Sequence, residues 1–192
     1  MRGFPLTVRV TYILFQVFLN TRWKALGFAV IPDSYRKAPL TELGVQQHPP
    51  ASALIQLLET RPPTDEETAG QWFGYLCDCI SSMSSFLSLF AYCSNNSLGF
   101  SQKELIRLSE LLIVPARSST GWQQLAPTQC YLGEGTRDEF HTKLFVFVNF
   151  GSTANSFLRA CGSKDEPSIK DIAESLVEDP ERFFNLAGGH EG

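Results

Sequence analysis

Three residues could assemble a nucleophilic site: the thiol of Cys130 or of Cys161, with the imidazole of His141 as its base and Asp138 or Asn155 to orient the ring. A cysteine becomes a nucleophile when a neighbouring base takes its proton or when its surroundings favour the thiolate. Nothing in the spacing requires these groups to meet. Buried, inert thiols and solvated imidazoles at His48, His141 and His190 account for the same residues. A second arrangement is Gly151-Ser152-Thr153, where a glycine turn leads from an apolar run into the start of a helix. Such a junction points N–H groups outward and favours an anion. It holds a single glycine, and neither GxGxxG nor GxxxxGKS/T occurs in the chain. Cys77 and Cys79 are spaced C-x-C, with no histidine beside them and no second pair. The four converging ligands of a zinc site are therefore not supplied, and the sequence calls for no metal and no cofactor. The carboxylate pairs Glu66/Glu67 and Asp165/Glu166 fall at expected helix starts, where the helix dipole alone accounts for them.

The elements that must position these residues centre on His141 to Gly162, the most strongly patterned stretch. Leu144, Phe145, Val146, Phe147, Val148 and Phe150 make an almost unbroken apolar run, which predicts a strand at 143–150 covered on both faces. Gly151 then turns the chain and Ser152 is placed to cap a helix. Ala154, Phe157, Leu158 and Cys161 form one face of that helix, and Gly162 ends it. Three S/T-x-x-E/D pairs, Thr64/Glu67, Ser101/Glu104 and Ser168/Asp171, read as helix N-caps. Ala69, Trp72, Phe73, Leu76 and Ile80 recur at helical spacing, as do Ile169, Ile172, Ala173, Leu176 and Val177. Pro180 suits a first helical position, with Phe183, Phe184 and Leu186 expected to pack that last helix. Ile113-Val114, the turn at Arg117–Gly121 and Trp122–Leu125 predict an antiparallel hairpin, followed by a short strand at Gln129–Leu132. The fold class expected is α+β: a small, mostly antiparallel sheet with 143–150 as its central strand, packed by helices and ending in a helical C-terminus.

A chain of 192 residues, 43% of them hydrophobic, suffices for one packed domain without metal or disulfide. We place it at 39–189, with a poorly patterned N-terminal arm at 1–38 and a serine-rich insertion at 81–99. The formal net charge is −4, and the cations are scattered, with none of the stripes that neutralise phosphates, so nucleic acid is not an expected partner. The apolar run Tyr12–Leu19 contains Gln16, lacks a small-residue cleavage site after it and is too short to span a bilayer. No membrane partner and no secretion are expected. Five cysteines, an odd number in a chain this long, point to a reducing intracellular compartment, cytoplasmic or nuclear.

Several quoted stretches resemble a known family. They are Leu43-Gly44-Val45 with His48-Pro49-Pro50, Trp72-Phe73-x-Tyr75-Leu76, Pro127-x-x-Cys130-Tyr131, Lys143–Gly151 and Ala154–Gly162 with Glu166-Pro167-Ser168. Together they are similar to large fungal proteins of unassigned function that carry a histidine-kinase/Hsp90-like ATPase module, as sacsin and the plant NO VEIN proteins do. The likeness covers residues 40–76 and 100–189. It implies a chaperone-related setting, with the chain lying outside the ATPase motifs and with protein partners or other regions of an Hsp90-like ATPase protein. Glu181-x-x-x-Asn185 matches that module's magnesium-holding helix signature, but the accompanying D-x-G-x-G is absent, so no ATP-site residue carries over. Residues 1–38 and 81–99 depart from the pattern, and we expect both to be divergent or mis-spliced sequence. The function this implies is a non-catalytic interaction or scaffold region; the alternative is a small hydrolase or transferase using one of the residues named above.

Overall fold

The computed structural model of the protein describes residues 17–35, 39–40, 42–43, 45–46, 48–84, 100–118, 121–133 and 139–186. Seven helices and six short strands lie within them. The helices are α1 (Ala51–Thr60), α2 (Glu66–Ser84), α3 (Gln102–Glu110), α4 (Glu139–Leu144), α5 (Ser152–Ala160), α6 (Ile169–Glu178) and α7 (Pro180–Leu186). The strands are β1 (Val17–Phe18), β2 (Ala29–Val30), β3 (Val114–Ser118), β4 (Gly121–Leu125), β5 (Tyr131–Leu132) and β6 (Phe147–Val148). The fold class is α+β, with a helical C-terminus.

The core is built on α2 and α5, the most extensively packed pair of described elements. Each buries one apolar face against the other, and aromatic rings fill the seam. Phe73 and Phe157 stack with centroids 5.4 Å apart, Phe150 meets Phe73 edge-on at 5.6 Å, and Phe100 leans on Phe157 at 6.2 Å. Offset and edge-on contacts of this kind suit the ring quadrupole. Gly70 lets α2 come close to the chain beside α5, since a Cβ there would stand 3.3 Å from the Phe150 carbonyl oxygen. Trp72, grouped with Phe73 as a core anchor, packs against the cluster from its half-buried edge.

Helix starts follow their side chains. Ser101 with Glu104 and Ser168 with Asp171 form complete capping boxes. The start of α2 differs from expectation by one residue. Asp65 caps it, its carboxylate accepting from both the N–H and the hydroxyl of Thr68 at 2.8 Å. These bonds to the charged form hold the Asp65 carboxyl below its ordinary value. A carboxylate accepts from backbone N–H more strongly than a hydroxyl does, which displaces Thr64 from that role.

The sheet is where expectation and structure part. Strands β3 and β4 pair antiparallel as the hairpin predicts, from Val114 opposite Leu125 to Ser118 opposite Gly121. The other two pairs, β1 with β2 and β5 with β6, are parallel. The run at 143–150 is not a central strand: its first residues close helix α4, and only Phe147–Val148 pair as β6. The middle place belongs to β5, which has β6 on one side and a parallel bridge to Lys164 on the other. Burial explains the misreading. Leu144 and Val148 go into the interior, while Phe145 and Phe147 clasp the Tyr131 ring at 5.3 and 5.7 Å, so apolar side chains are satisfied without a long ladder.

The N-terminal arm drawn at 1–38 is also not separate over its described part. Phe18, Trp23 and Leu26 belong to the same buried cluster as Leu54, Leu58 and Phe73. They sit on β1 and a six-residue 3-10 turn, Thr21–Leu26, whose tight winding leaves no periodicity to read. The strand expected over Leu6–Tyr12 and most of the serine-rich stretch lie outside the described residues; its first four residues close α2.

Trp23 brings a titratable contact with it. Its indole Nε1–H donates to Nδ1 of His48 at 3.3 Å, the rings meeting edge-on, and burial followed by the Arg22 charge lowers the His48 pKa. The unfolded chain therefore binds a proton on His48 at a higher pH than the folded one does. Stability contributed here is present above the ordinary histidine range and is lost as pH falls through the lower, folded value. Urea denaturation at stepped pH should show this acid-side loss in the wild type and its disappearance in His48→Gln.

Candidate functional site

The residues singled out for chemistry do not converge in a reactive form. Cys130 sits at the end of the 3-10 turn before β5, and its Sγ lies 3.5 Å from the Ala126 carbonyl oxygen. Cys161 closes α5. Both side chains are buried, and burial pushes each thiol up to about 12. A thiol in that condition is protonated at neutral pH and is neither a nucleophile nor a metal ligand. His141 lies half-buried in α4, within the element that replaced the front of the expected strand. Asp138 lies outside the described residues. Cys77 of the C-x-C pair is buried on α2, and no group of three or more His, Cys, Asp or Glu that could hold a metal occurs among the described residues.

The Gly151-Ser152-Thr153 turn is formed as expected in outline but is used differently. Gly151, at φ +89°, is the residue before α5, and Ser152 is the first helical residue and does not cap. Two asparagines hold the turn instead. Asn155 accepts from the Phe150 N–H at 3.0 Å through Oδ1, while Asn149 Oδ1 accepts from the Gly151 N–H at 3.0 Å and from Asn155 Nδ2 at 2.9 Å. The N–H groups of Phe150 and Gly151 are thus already satisfied by the protein's own side chains. Asn155, considered above as an orienting partner for a histidine, is a turn-holding residue.

A cleft of about 300 Å³ opens between the Thr21–Leu26 turn and the start of α2, with Gly27, Arg61, Thr64 and Trp72 on its walls. The Arg61 guanidinium approaches the Gly27 backbone, with Nη2 3.2 Å from where a Cβ would stand. Asp65, Glu66 and Glu67 follow directly in sequence and offset its charge for any anion.

The surface that departs most from a folded domain's usual habit is on α6. An amphipathic helix ordinarily turns its apolar stripe inward. Here the body-facing side carries Asp171, whose carboxylate accepts from Lys164 Nζ at 2.8 and 2.9 Å and whose side chain is 17% exposed. Lys164 is the residue bridged to β5, so this contact ties the helix to the sheet. The ammonium and the Ser168 N–H and hydroxyl bonds hold the Asp171 carboxyl well below the usual carboxylate range. The same carboxylate, after burial, helps raise the Tyr131 phenol to about 12. At about 100° per residue, the side of α6 opposite Asp171 carries Ile169, Ala173, Leu176 and Val177. Ile169 is 88% exposed and Val177 80%, and no residue of α6 is buried. Phe184 on the following α7, expected to pack, is also exposed. Leaving such side chains in water forgoes about 1.5–3 kcal/mol each. The sequence carried the stripe plainly; what it could not carry was which way the stripe faces.

The chain belongs to the family described as protein of unknown function (DUF3684), whose model matches residues 9–87 and 84–192. The match takes in 9–38 and 84–99, two stretches that the motif likeness leaves out. No curated protein and no solved structure matches the chain. No described helix is long and apolar enough to cross a membrane.

Proposed function

We propose that the chain is a non-catalytic interaction or scaffold region of a chaperone-related protein bearing an Hsp90-like ATPase module, and that its partners are other regions of such a protein or separate polypeptides. The observation that carries this reading is the outward apolar stripe of α6, since exposed apolar stripes mark binding surfaces. The burial of Cys130 and Cys161 weighs against a cysteine enzyme, and the asparagine-filled turn at Gly151 weighs against a phosphate cradle. The fungal, ATPase-associated setting rests on the likeness of the motifs quoted above. An intracellular location, cytoplasmic or nuclear, suits the two buried thiols.

Thermal unfolding of the purified chain with and without magnesium ATP tests the reading. We expect Tm to stay unchanged, because the nucleotide has no site to occupy. Stabilisation that grows with nucleotide concentration, as linkage demands of a real ligand, would overturn the proposal.

A further inference from the structure

Resting on that reading, we infer that the outward face of α6 docks a cationic amphipathic helix from a partner polypeptide. Three observations converge on this occupant. The first is the spacing: Ile169, Ile172, Ala173, Leu176 and Val177 recur every three to four residues over the ten-residue length of α6, the pattern by which one helix receives another. The second is orientation. The helix is fastened to the body by its polar side, through Asp171 and Lys164, so the apolar side is held outward by ion pairing.

The third is charge. Residues 164–182 carry seven carboxylates against three cations, a net −4 that equals the formal charge of the whole chain. The cations of this segment are engaged: Lys164 with Asp171, Lys170 with Glu174 at 3.3 Å, and Arg182 with the Lys143 carbonyl oxygen. Glu178 and Glu181 have no ion-pair partner among the described residues. They leave a negative rim that a lysine- or arginine-flanked helix complements and an acidic one does not. A second copy of this chain would bring the same acidic rim against itself. An anionic membrane surface would be repelled for the same reason.

The test uses the full chain and two synthetic helical peptides with one leucine pattern, flanked in one by lysines and in the other by glutamates. Binding is read by fluorescence anisotropy. The lysine peptide should bind, and its affinity should fall as salt shortens the Debye length from about 10 Å to about 3 Å. The glutamate peptide should not bind. Ile169→Ser with Val177→Ser removes side chains that lie in solvent, so the fold is kept, and lysine-peptide binding should fall about tenfold or more. Glu178→Gln with Glu181→Gln should weaken binding and flatten its salt dependence.

Equal binding of both peptides without salt dependence would overturn the cationic partner while leaving an interaction surface in place. A chain that sediments as a dimer, returned to monomer by the serine pair, would name a second copy as the occupant and overturn the inference. Lysine-peptide binding that the serine pair leaves untouched would remove α6 as the site. Failure of the reading it rests on shows separately, as stabilisation by magnesium ATP.

Discussion

Phe157→Ala should cost about 3–5 kcal/mol, as truncation of a fully buried ring does when its surroundings close only in part. The side chain is fully buried on α5 and touches rings from two other segments, Phe73 and Phe100. A cavity there opens at the seam of the principal helix pair, so neither helix can collapse into it without parting from the other. With a urea dependence of about 1–3 kcal/mol per molar, the midpoint should drop by roughly 2 M with an unchanged slope. Phe157→Leu should lose less. A Phe157→Ala midpoint within a few tenths molar of wild type would mean that the α2–α5 seam is not the core.

A second large effect lies on the alkaline side. Cys130 and Cys161 are raised from about 9 to about 12 by burial. In the unfolded chain both ionise at their ordinary value, so between these limits the unfolded state holds fewer protons and stability falls as pH rises. At 1.36 kcal/mol per unit, the two thiols together withdraw about 4 kcal/mol by about pH 10.5. Against a typical 5–15 kcal/mol, that brings the chain close to unfolding without heat. The Tyr131 phenol, raised to about 12, adds in the same direction. Circular dichroism along an alkaline titration should show cooperative unfolding, shifted to higher pH in the Cys130→Ala, Cys161→Ala pair. At about pH 8 the same two thiols should resist iodoacetamide until urea is added. Fast alkylation of either in the folded chain would restore the nucleophile reading.

The parts of this structure legible in the sequence are those decided locally. Ser101 with Glu104 and Ser168 with Asp171 each close a capping box within four residues, and nothing distant can overrule them. The β3–β4 hairpin is likewise set by its own turn. The run at 143–150 was misread because continuous apolar character records burial and not the element that achieves it. A helix end, a two-residue strand and an aromatic clasp around Tyr131 satisfy the run as well as a long strand would. The stripe on α6 failed for a different reason. Periodicity reveals that a helix has an apolar side, while the direction of that side was settled by the pairing of Lys164 with Asp171 and by the bridge from Lys164 to β5. The exchange of Ser152 for Asn149 and Asn155 at the Gly151 turn is subtler still, since asparagine reaches back several residues and leaves no fixed spacing.

The pairing of α2 with α5 also fixes when this core can close during synthesis. Residue 84 leaves the ribosome well before residue 152 is added. Roughly 70 residues at about 5–20 per second is an interval of about 4–14 s. Through that time Phe73 and Leu76 have no α5 to cover them, and charge is absent from residues 79–102 that follow on the nascent chain. Translation of this protein therefore passes through a stage in which its most adhesive segment is complete and its cover is not yet made.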